Sequence, residues 1–131
     1  MKNILDGGFK GQIYPINPKS SEILGFSCFP SLLNVPTNKI DLVIIVVPAT
    51  FVPKVIEDAA KKQVTCAVII SGGFREAGNE DLEKAVVEAA RKYEVRLVGP
   101  NCQGITYTPN NLCAAWPLMK TKGPMTIISQ T

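Results

Sequence analysis

Four short loops in this sequence carry residue types that could bind a ligand. Each follows an apolar run, and they are Asn17-Pro18-Lys19, Val47-Pro48-Ala49, Ser71-Gly72-Gly73 and Gly99-Pro100-Asn101. Glycine lets a backbone approach a ligand closely, and N–H groups near the start of a helix favour phosphate. Lys19 could supply a positive charge to the same anion, and the loop at Pro48 offers an apolar surface for a base. The coincidence of all four loops favours a ligand-binding site.

The sequence contains no histidine. This absence removes Ser-His-Asp and Cys-His catalysis, phosphohistidine chemistry and histidine-ligated metal sites from the chain. Cys102 follows Asn101 but has no evident activating partner, so we expect a structural role for its thiol. We therefore predict a chain that supplies binding, with no catalytic residue and no metal site of its own.

The elements that must position these loops follow from apolar patterns. Leu42–Val47 is an unbroken β-branched run, which is typical of a strand buried on both faces. Ala67–Ile70 and Arg96–Val98 are predicted as the next two strands. Apolar residues at helical spacing predict a helix from Val52 to Ala60, and a second over Asn79–Tyr93. Thr50 is the expected N-cap of the first helix, with Pro53 in its first turn.

Strands and helices that alternate in this way predict the α/β fold class. We expect a Rossmann-like open parallel sheet with helices on both faces. Ile13–Ile16 is predicted as an earlier strand and Met125–Ile128 as a later one, whereas Ser20–Lys39 is predicted irregular with one helical turn at Pro30–Leu33. Ligands of such sheets bind outside the carboxyl ends of the strands, so the four loops should share one edge.

The composition is that of one globular domain. The chain has 131 residues, 46% of them hydrophobic, and a net charge of +3 that is spread along its length. No basic run indicates nucleic-acid binding, and no apolar stretch reaches the ~20 residues of a membrane span. The four cysteines lack CxxC spacing, so we predict reduced thiols and a cytoplasmic protein.

Two common nucleotide-binding motifs are absent. The segment Gly7-Gly8-Phe9-Lys10-Gly11 does not fit GxGxxG, and GxxxxGK followed by Ser or Thr does not occur. A Walker-type site is therefore not encoded. A nicotinamide-dinucleotide-binding module stays open as a less favoured alternative, because its motif would precede this segment.

Several segments match the pattern of one family, in order and over nearly the whole chain. They are Gly8–Lys19, Glu22–Gly25, Cys28–Leu32, Asp41–Ala49, Ala67–Phe74, Gly99–Gly104 and Ile128–Gln130. On these segments the chain resembles the CoA-binding domain of ADP-forming acyl-CoA (acetyl-CoA) synthetases, which is similar to the N-terminal domain of succinyl-CoA synthetase α subunits. Gly72 stands where succinyl-CoA synthetases tend to carry an acid, which favours the acyl-CoA synthetase branch.

The resemblance implies that the chain binds coenzyme A for an acid–thiol ligase and is not catalytic alone. By position, Lys19 matches the family's basic residue near the CoA phosphates, and Val47 and Pro48 match the loop against the adenine. Ser71, Gly72 and Gly73 match the turn along the nucleotide and pantetheine arm, and Asn101 matches the loop near the thiol. The implied partners are CoA and the ligase-type and ATP-grasp domains or subunits of the same enzyme, without nucleic acid or membrane.

The chain departs from the family at both ends. It opens on what we interpret as the end of a helix, so the family's first strand and Gly-rich turn are expected to be missing. We therefore predict an N-terminally incomplete CoA-binding domain over residues 1–124 and the start of a ligase-type domain over residues 125–131. A stand-alone CoA-binding or regulatory module, and the CoA-binding domain of a protein acetyltransferase, remain alternatives.

Overall fold

The computed structural model of the chain describes residues 1–118. Their contacts define two compact units: one is Gly11–Gly104, and the other joins Met1–Lys10 to the segment that begins at Ile105. The predicted strand Met125–Ile128 and the predicted domain boundary at residue 124 lie outside the described residues.

Short strands and two longer helices make up the described part of the chain. The strands and α-helices, in order, are α1 (Lys2–Asp6), β1 (Glu22–Ile23), β2 (Phe26–Ser27), β3 (Val43–Ile45), α2 (Val52–Lys61), β4 (Cys66–Ile69), α3 (Glu80–Lys92), β5 (Arg96–Val98), β6 (Gly104–Tyr107) and β7 (Leu112–Ala115). Turns of 3-10 helix occur at Leu32–Asn34, Ala49–Phe51, Arg75–Ala77 and Thr108–Asn110. None of the helices within residues 1–118 is long and apolar enough to cross a membrane.

A three-stranded parallel sheet organises the Gly11–Gly104 unit. Its order is β3-β4-β5, so β4 lies in the centre and pairs with both neighbours. In register, Ile44 lies opposite Val68, and Val68 lies opposite Val98. The predicted α/β class and the three predicted strands of this sheet are confirmed.

Both long helices pack on the same face of this sheet. Ile56 of α2 and Val86 of α3 belong to one buried cluster, together with Ile45 and Ile69 of the sheet. The sequence analysis expected helices on both faces, but within this unit α2 and α3 share one. The strand order β3-β4-β5 explains the difference. The connections from β3 to β4 and from β4 to β5 move in the same direction across the sheet. When two such connections have the same handedness, their helices lie on the same face.

The helix α2 begins after a 3-10 turn rather than at a polar cap. Thr50, the predicted N-cap, lies inside the 3-10 turn Ala49–Phe51, so that prediction is wrong. Pro48 precedes this turn, and the turn leads directly into the helix. Pro53 does occupy the first turn of α2, where its missing N–H has no cost.

A second apolar cluster corrects the prediction for the segment before β3. Ile13–Ile16 was expected to form a strand, but only Ile16 makes a bridge, to Phe29. Tyr14 instead packs on a cluster built around Val35 and Ala59, and its ring meets Phe29 edge-on at 6.1 Å. The segment therefore buries Pro15 and packs Tyr14 on this cluster, and its sheet pairing is limited to the single bridge at Ile16.

Two short sheets were not predicted, and one of them lies in the stretch that was predicted to be irregular. The strands β1 and β2 form an antiparallel hairpin inside Ser20–Lys39, with Leu24 and Gly25 at its turn. The strands β6 and β7 form the other sheet. In the unit that begins at Met1, α1 packs against β7, and the Asn3 amide donates a hydrogen bond to the Ala115 carbonyl at 2.7 Å.

Phe74 should contribute more to stability than any exposed aromatic residue of the unit. Its side chain is 0% exposed and packs in the cluster between the sheet and helices α2 and α3. We expect Phe74→Ala to lower the free energy of unfolding by about 3–5 kcal/mol, because it leaves a cavity. Phe51→Ala is the matched control, since Phe51 is 60% exposed, and should change stability by less than about 1 kcal/mol. Equal losses in urea unfolding would contradict this account.

Candidate functional site

The loops that follow β3, β4 and β5 lie at the same edge of the parallel sheet. We call this edge the sheet rim and define it by Val47–Ala49, Ser71–Phe74 and Gly99–Cys102. The sheet pairing extends one step towards it, because the Ile70 N–H donates to the Ile45 carbonyl at 3.0 Å. The rim is therefore a direct continuation of the strands, and it lies entirely within the Gly11–Gly104 unit.

Ser71 joins the three loops of the sheet rim. Its hydroxyl donates to the Val47 carbonyl at 2.5 Å and lies 3.4 Å from the Ile45 carbonyl oxygen. Its own carbonyl accepts from the Asn101 N–H at 3.0 Å. The loop after the central strand thus holds the loops after both neighbouring strands, and Ser71, Val47 and Asn101 come together as the sequence analysis predicted.

Gly99 and Cys102 pack the third loop against the end of β4. Gly99 has φ +96, and a Cβ atom there would overlap the Ile69 carbonyl oxygen. The Cys102 thiol donates to the same carbonyl at 3.3 Å. Only a residue without a side chain allows this close approach, and the thiol is engaged in holding the loop.

Glu76 fills the concave side of the turn after β4. Its Oε1 accepts from the Gly73 N–H at 2.5 Å and from the Phe74 N–H at 3.2 Å. A Cβ added to Gly72 would lie 3.1 Å from that oxygen and 3.2 Å from Oδ1 of Asn101. Gly72, Gly73 and Asn101 therefore do lie together, but a protein carboxylate already takes two amide N–H groups of the turn.

The sequence analysis missed Glu76. The available signal was a carboxylate three residues after a Gly-Gly pair, at the end of a buried strand. The hydrogen bonds from the amides of Gly73, of Glu76 itself and of Phe74 hold the pKa of this carboxyl below its usual range.

Lys19 lies apart from the bonded network of the sheet rim. Its backbone N–H donates to Oδ1 of Asn17 at 2.9 Å, and the residue is exposed. Among residues 1–118 no hydrogen bond or ion pair connects Lys19 with the other three loops. Its free ammonium group could meet an anion, but its place beside the rim stays a prediction.

The apolar surface at the end of β3 differs from the predicted one. Val47 is partly buried and packs on the cluster beneath α2 and α3, whereas Pro48 is exposed. Two neighbours that the sequence analysis did not select are more exposed, Val46 at 69% and Phe51 at 60%. Val46, Pro48 and Phe51 therefore expose more apolar surface near this end of β3 than Val47 does.

The sheet rim has the chemistry of a binding site. Its polar groups are backbone N–H and C=O groups, the Ser71 hydroxyl, the Asn101 amide and the Glu76 carboxylate, and the hydroxyl and carboxylate are held by the protein itself. Within the described residues, no group of three or more acidic or cysteine side chains could hold a metal ion.

The family comparison decides what kind of domain this is. The family model described as the CoA binding domain matches residues 1–108, which contain the whole sheet rim. The chain belongs to the CoA binding domain family. The predicted family resemblance is thereby confirmed.

This CoA binding domain is similar to one part of several larger enzymes. It is 50% identical to an ADP-forming acetate–CoA ligase of Methanocaldococcus jannaschii, over 100% of this chain and 18% of the ligase. It is 44% identical to subunit alpha of the ADP-forming acetate–CoA ligase I of Pyrococcus furiosus, over 100% of this chain and 30% of the subunit. The chain therefore spans less than a third of either relative.

A solved structure shares the fold of this CoA binding domain. It is the acetyl-coenzyme A synthetase 1 of Ca. Korarchaeum cryptofilum, described as dinucleotide forming and determined in complex with phosphate and ADP. The TM-score is 0.82 at 45% identity, over 87% of this chain and 24% of that one.

A side chain at Gly99 should destabilise the domain more than a side chain at Gly78, which also has a positive φ but has open space around it. Gly78 has φ +79 and nothing within 4 Å of an added Cβ, so Gly78→Ala should cost about 1–2 kcal/mol of backbone strain. Gly99→Ala adds the overlap with the Ile69 carbonyl oxygen, and we expect it to cost about 1–3 kcal/mol more. Chemical unfolding of both variants measures this difference, and equal costs would show that the rim relaxes to admit a side chain.

Glu76 should make the stability of the domain depend on pH. A carboxyl whose pKa is lowered by folding stabilises the folded state above its usual value of 4.5, and this contribution is lost as pH falls through the lowered value. We therefore expect Glu76→Gln to lower the melting temperature at neutral pH and the difference from wild type to shrink on acidification. Glu88→Gln, an exposed carboxylate on α3, is the control. A difference that stays constant with pH would contradict the assignment.

Proposed function

We propose that this chain binds coenzyme A and positions its thiol within an ADP-forming acyl-CoA ligase, an acid–thiol ligase. The observation that carries the proposal is that the sheet rim, with its hydrogen-bonded loops and exposed apolar end, lies wholly inside the segment matched by the CoA binding domain family. The full-length match to ADP-forming acetate–CoA ligases supports the reaction class.

The chemistry of the exposed groups suggests how CoA would lie. The apolar surface of Val46, Pro48 and Phe51 suits the flat face of an adenine ring. The exposed Lys19 ammonium is a positive charge that suits a CoA phosphate. The turn at Gly72, bounded by the Glu76 carboxylate and the Asn101 amide, suits the uncharged pantetheine arm, which carries amide N–H donors.

The contribution of this chain to the reaction would be positional. In the ligase, the CoA sulfur forms the thioester bond to the acyl carbon as the acyl–phosphate bond breaks, and the thiol proton leaves with inorganic phosphate. The Ser71 hydroxyl and the Cys102 thiol of the rim are bonded to backbone carbonyls, so the acyl phosphate and its activation would come from ligase-type and ATP-grasp domains. Holding the thiol near the acyl carbon removes the entropic cost of bringing the two groups together from solution. This cost is a large part of many reaction barriers.

Three of the cysteines fit a proposed location in the cytoplasm. Cys28, Cys66 and Cys102 form no disulfide within residues 1–118, as expected in a reducing compartment, where structural disulfides are rare.

Calorimetric titration of the 131-residue chain tests the proposal directly. We expect saturable CoA binding and no heat from NAD, which shares the adenosine and diphosphate groups but lacks the pantetheine arm. Lys19→Ala should weaken CoA binding about tenfold, the loss of one charged hydrogen bond. Lys39→Ala is the matched control, because Lys39 is an equally exposed lysine of the same unit.

Two outcomes would contradict parts of this account. Binding of NAD as tightly as CoA would replace the ligase assignment with a dinucleotide-binding one. Equal effects of Lys19→Ala and Lys39→Ala would remove Lys19 from the site and leave only the general attraction of a chain with net charge +3.

A further inference from the structure

The turn after β4 binds its own anion. Two consecutive backbone N–H groups, those of Gly73 and Phe74, converge on one carboxylate oxygen of Glu76. Consecutive N–H groups that point to one side of a turn form a concavity that binds anions such as phosphate. In this domain the concavity is already filled from within the chain.

Further bonds hold the turn and Glu76 in one arrangement. The Asn79 amide donates to the Gly73 carbonyl at 2.9 Å, so both polar backbone groups of Gly73 are bound. The Ala77 and Asn79 N–H groups both donate to the Phe74 carbonyl at 2.9 Å. The fully buried Phe74 side chain anchors this arrangement in the core.

A filled concavity changes what the turn can contact. The Gly73 and Phe74 N–H groups are unavailable to a phosphate, and the Glu76 charge repels one at this position. The surface over Gly72 is bounded by Oε1 of Glu76 and Oδ1 of Asn101, two hydrogen-bond acceptors. A ligand segment that crosses Gly72 must therefore be uncharged or a hydrogen-bond donor.

We propose that Glu76 is a positioning and specificity-determining residue of the CoA site, which keeps the turn after β4 in one conformation and excludes phosphate from it. The diphosphate of CoA then binds away from this turn, and the turn receives an uncharged segment of the ligand. This inference rests on the proposed function in its statement about CoA, whereas the filling of the turn by Glu76 is independent of it.

Three variants of the full chain separate the effects of the carboxylate. Glu76→Ala removes both the acceptor and the charge, Glu76→Gln retains an oxygen acceptor without charge, and Glu88→Gln removes a charge from an exposed position on α3. We expect Glu76→Ala to weaken CoA binding about tenfold, the size expected when two amides lose a charged acceptor. Glu76→Gln should stay within about threefold of wild type and Glu88→Gln should be unchanged.

Amide NMR provides a measurement that a loss of stability alone would not change, namely the response of the Gly73 and Phe74 signals to phosphate. In Glu76→Ala the Gly73 and Phe74 amide signals should shift on titration with inorganic phosphate, because the concavity is open to an anion. In wild type and Glu76→Gln, whose side-chain oxygen still fills it, these signals should not respond. Signals of β4 that match those of wild type show in the same spectra that the variant is folded.

The outcomes distinguish the inference from the proposed function. A wild-type chain that binds no CoA overturns the proposed function and the CoA part of the inference. Wild-type CoA affinity in Glu76→Ala, when wild type does bind, overturns the positioning role alone. Absence of a phosphate response in a folded Glu76→Ala chain, or a response in wild type, overturns the exclusion of phosphate.

Discussion

The central position of β4 makes Ser71 the residue on which the sheet rim depends. A loop that follows the middle strand of a three-stranded sheet is the only one adjacent to both outer loops, and Ser71 bonds to each of them. Its hydroxyl satisfies a carbonyl beyond the end of β3, where the ladder has stopped, and its carbonyl receives an N–H from the loop after β5. The edge is thus a bonded surface and not three independent loops.

The backbone segments of the rim are in close contact with one another, so a ligand has little room to rearrange these loops. The loop after β5 touches the end of β4 at Gly99, and the turn after β4 is closed by Glu76. Negative charge and carbonyl oxygens consequently lie at the middle of the rim, while an apolar surface lies at the β3 end. Under the proposed function, the adenine of CoA would lie at the apolar end and the amide N–H groups of its pantetheine arm would lie over these acceptors.

Under the proposed function, this domain contributes geometry to a reaction completed by other groups. The chain corresponds to less than a third of each relative described above, and the Ser71 hydroxyl and Cys102 thiol of its rim donate to backbone carbonyls. The firm anchoring of the turn in the core by Phe74 fits that role, since positioning lowers a barrier only when the bound geometry is held closely.

The sequence by itself determined the elements and the edge at which they meet. The unbroken apolar run before Val47 and the helical period after Val52 are local patterns, so β3, β4, β5 and both long helices could be predicted from them. Parallel strands end at one edge, so the sequence also predicts that Ser71, Gly72, Gly73 and Asn101 lie together. Only the tertiary structure decided that α2 and α3 share a face, that Ile13–Ile16 makes a single bridge instead of a strand, and that Glu76 fills the turn. Periodicity records whether a side chain is buried but not by which partner, and these three features depend on which partner each residue meets.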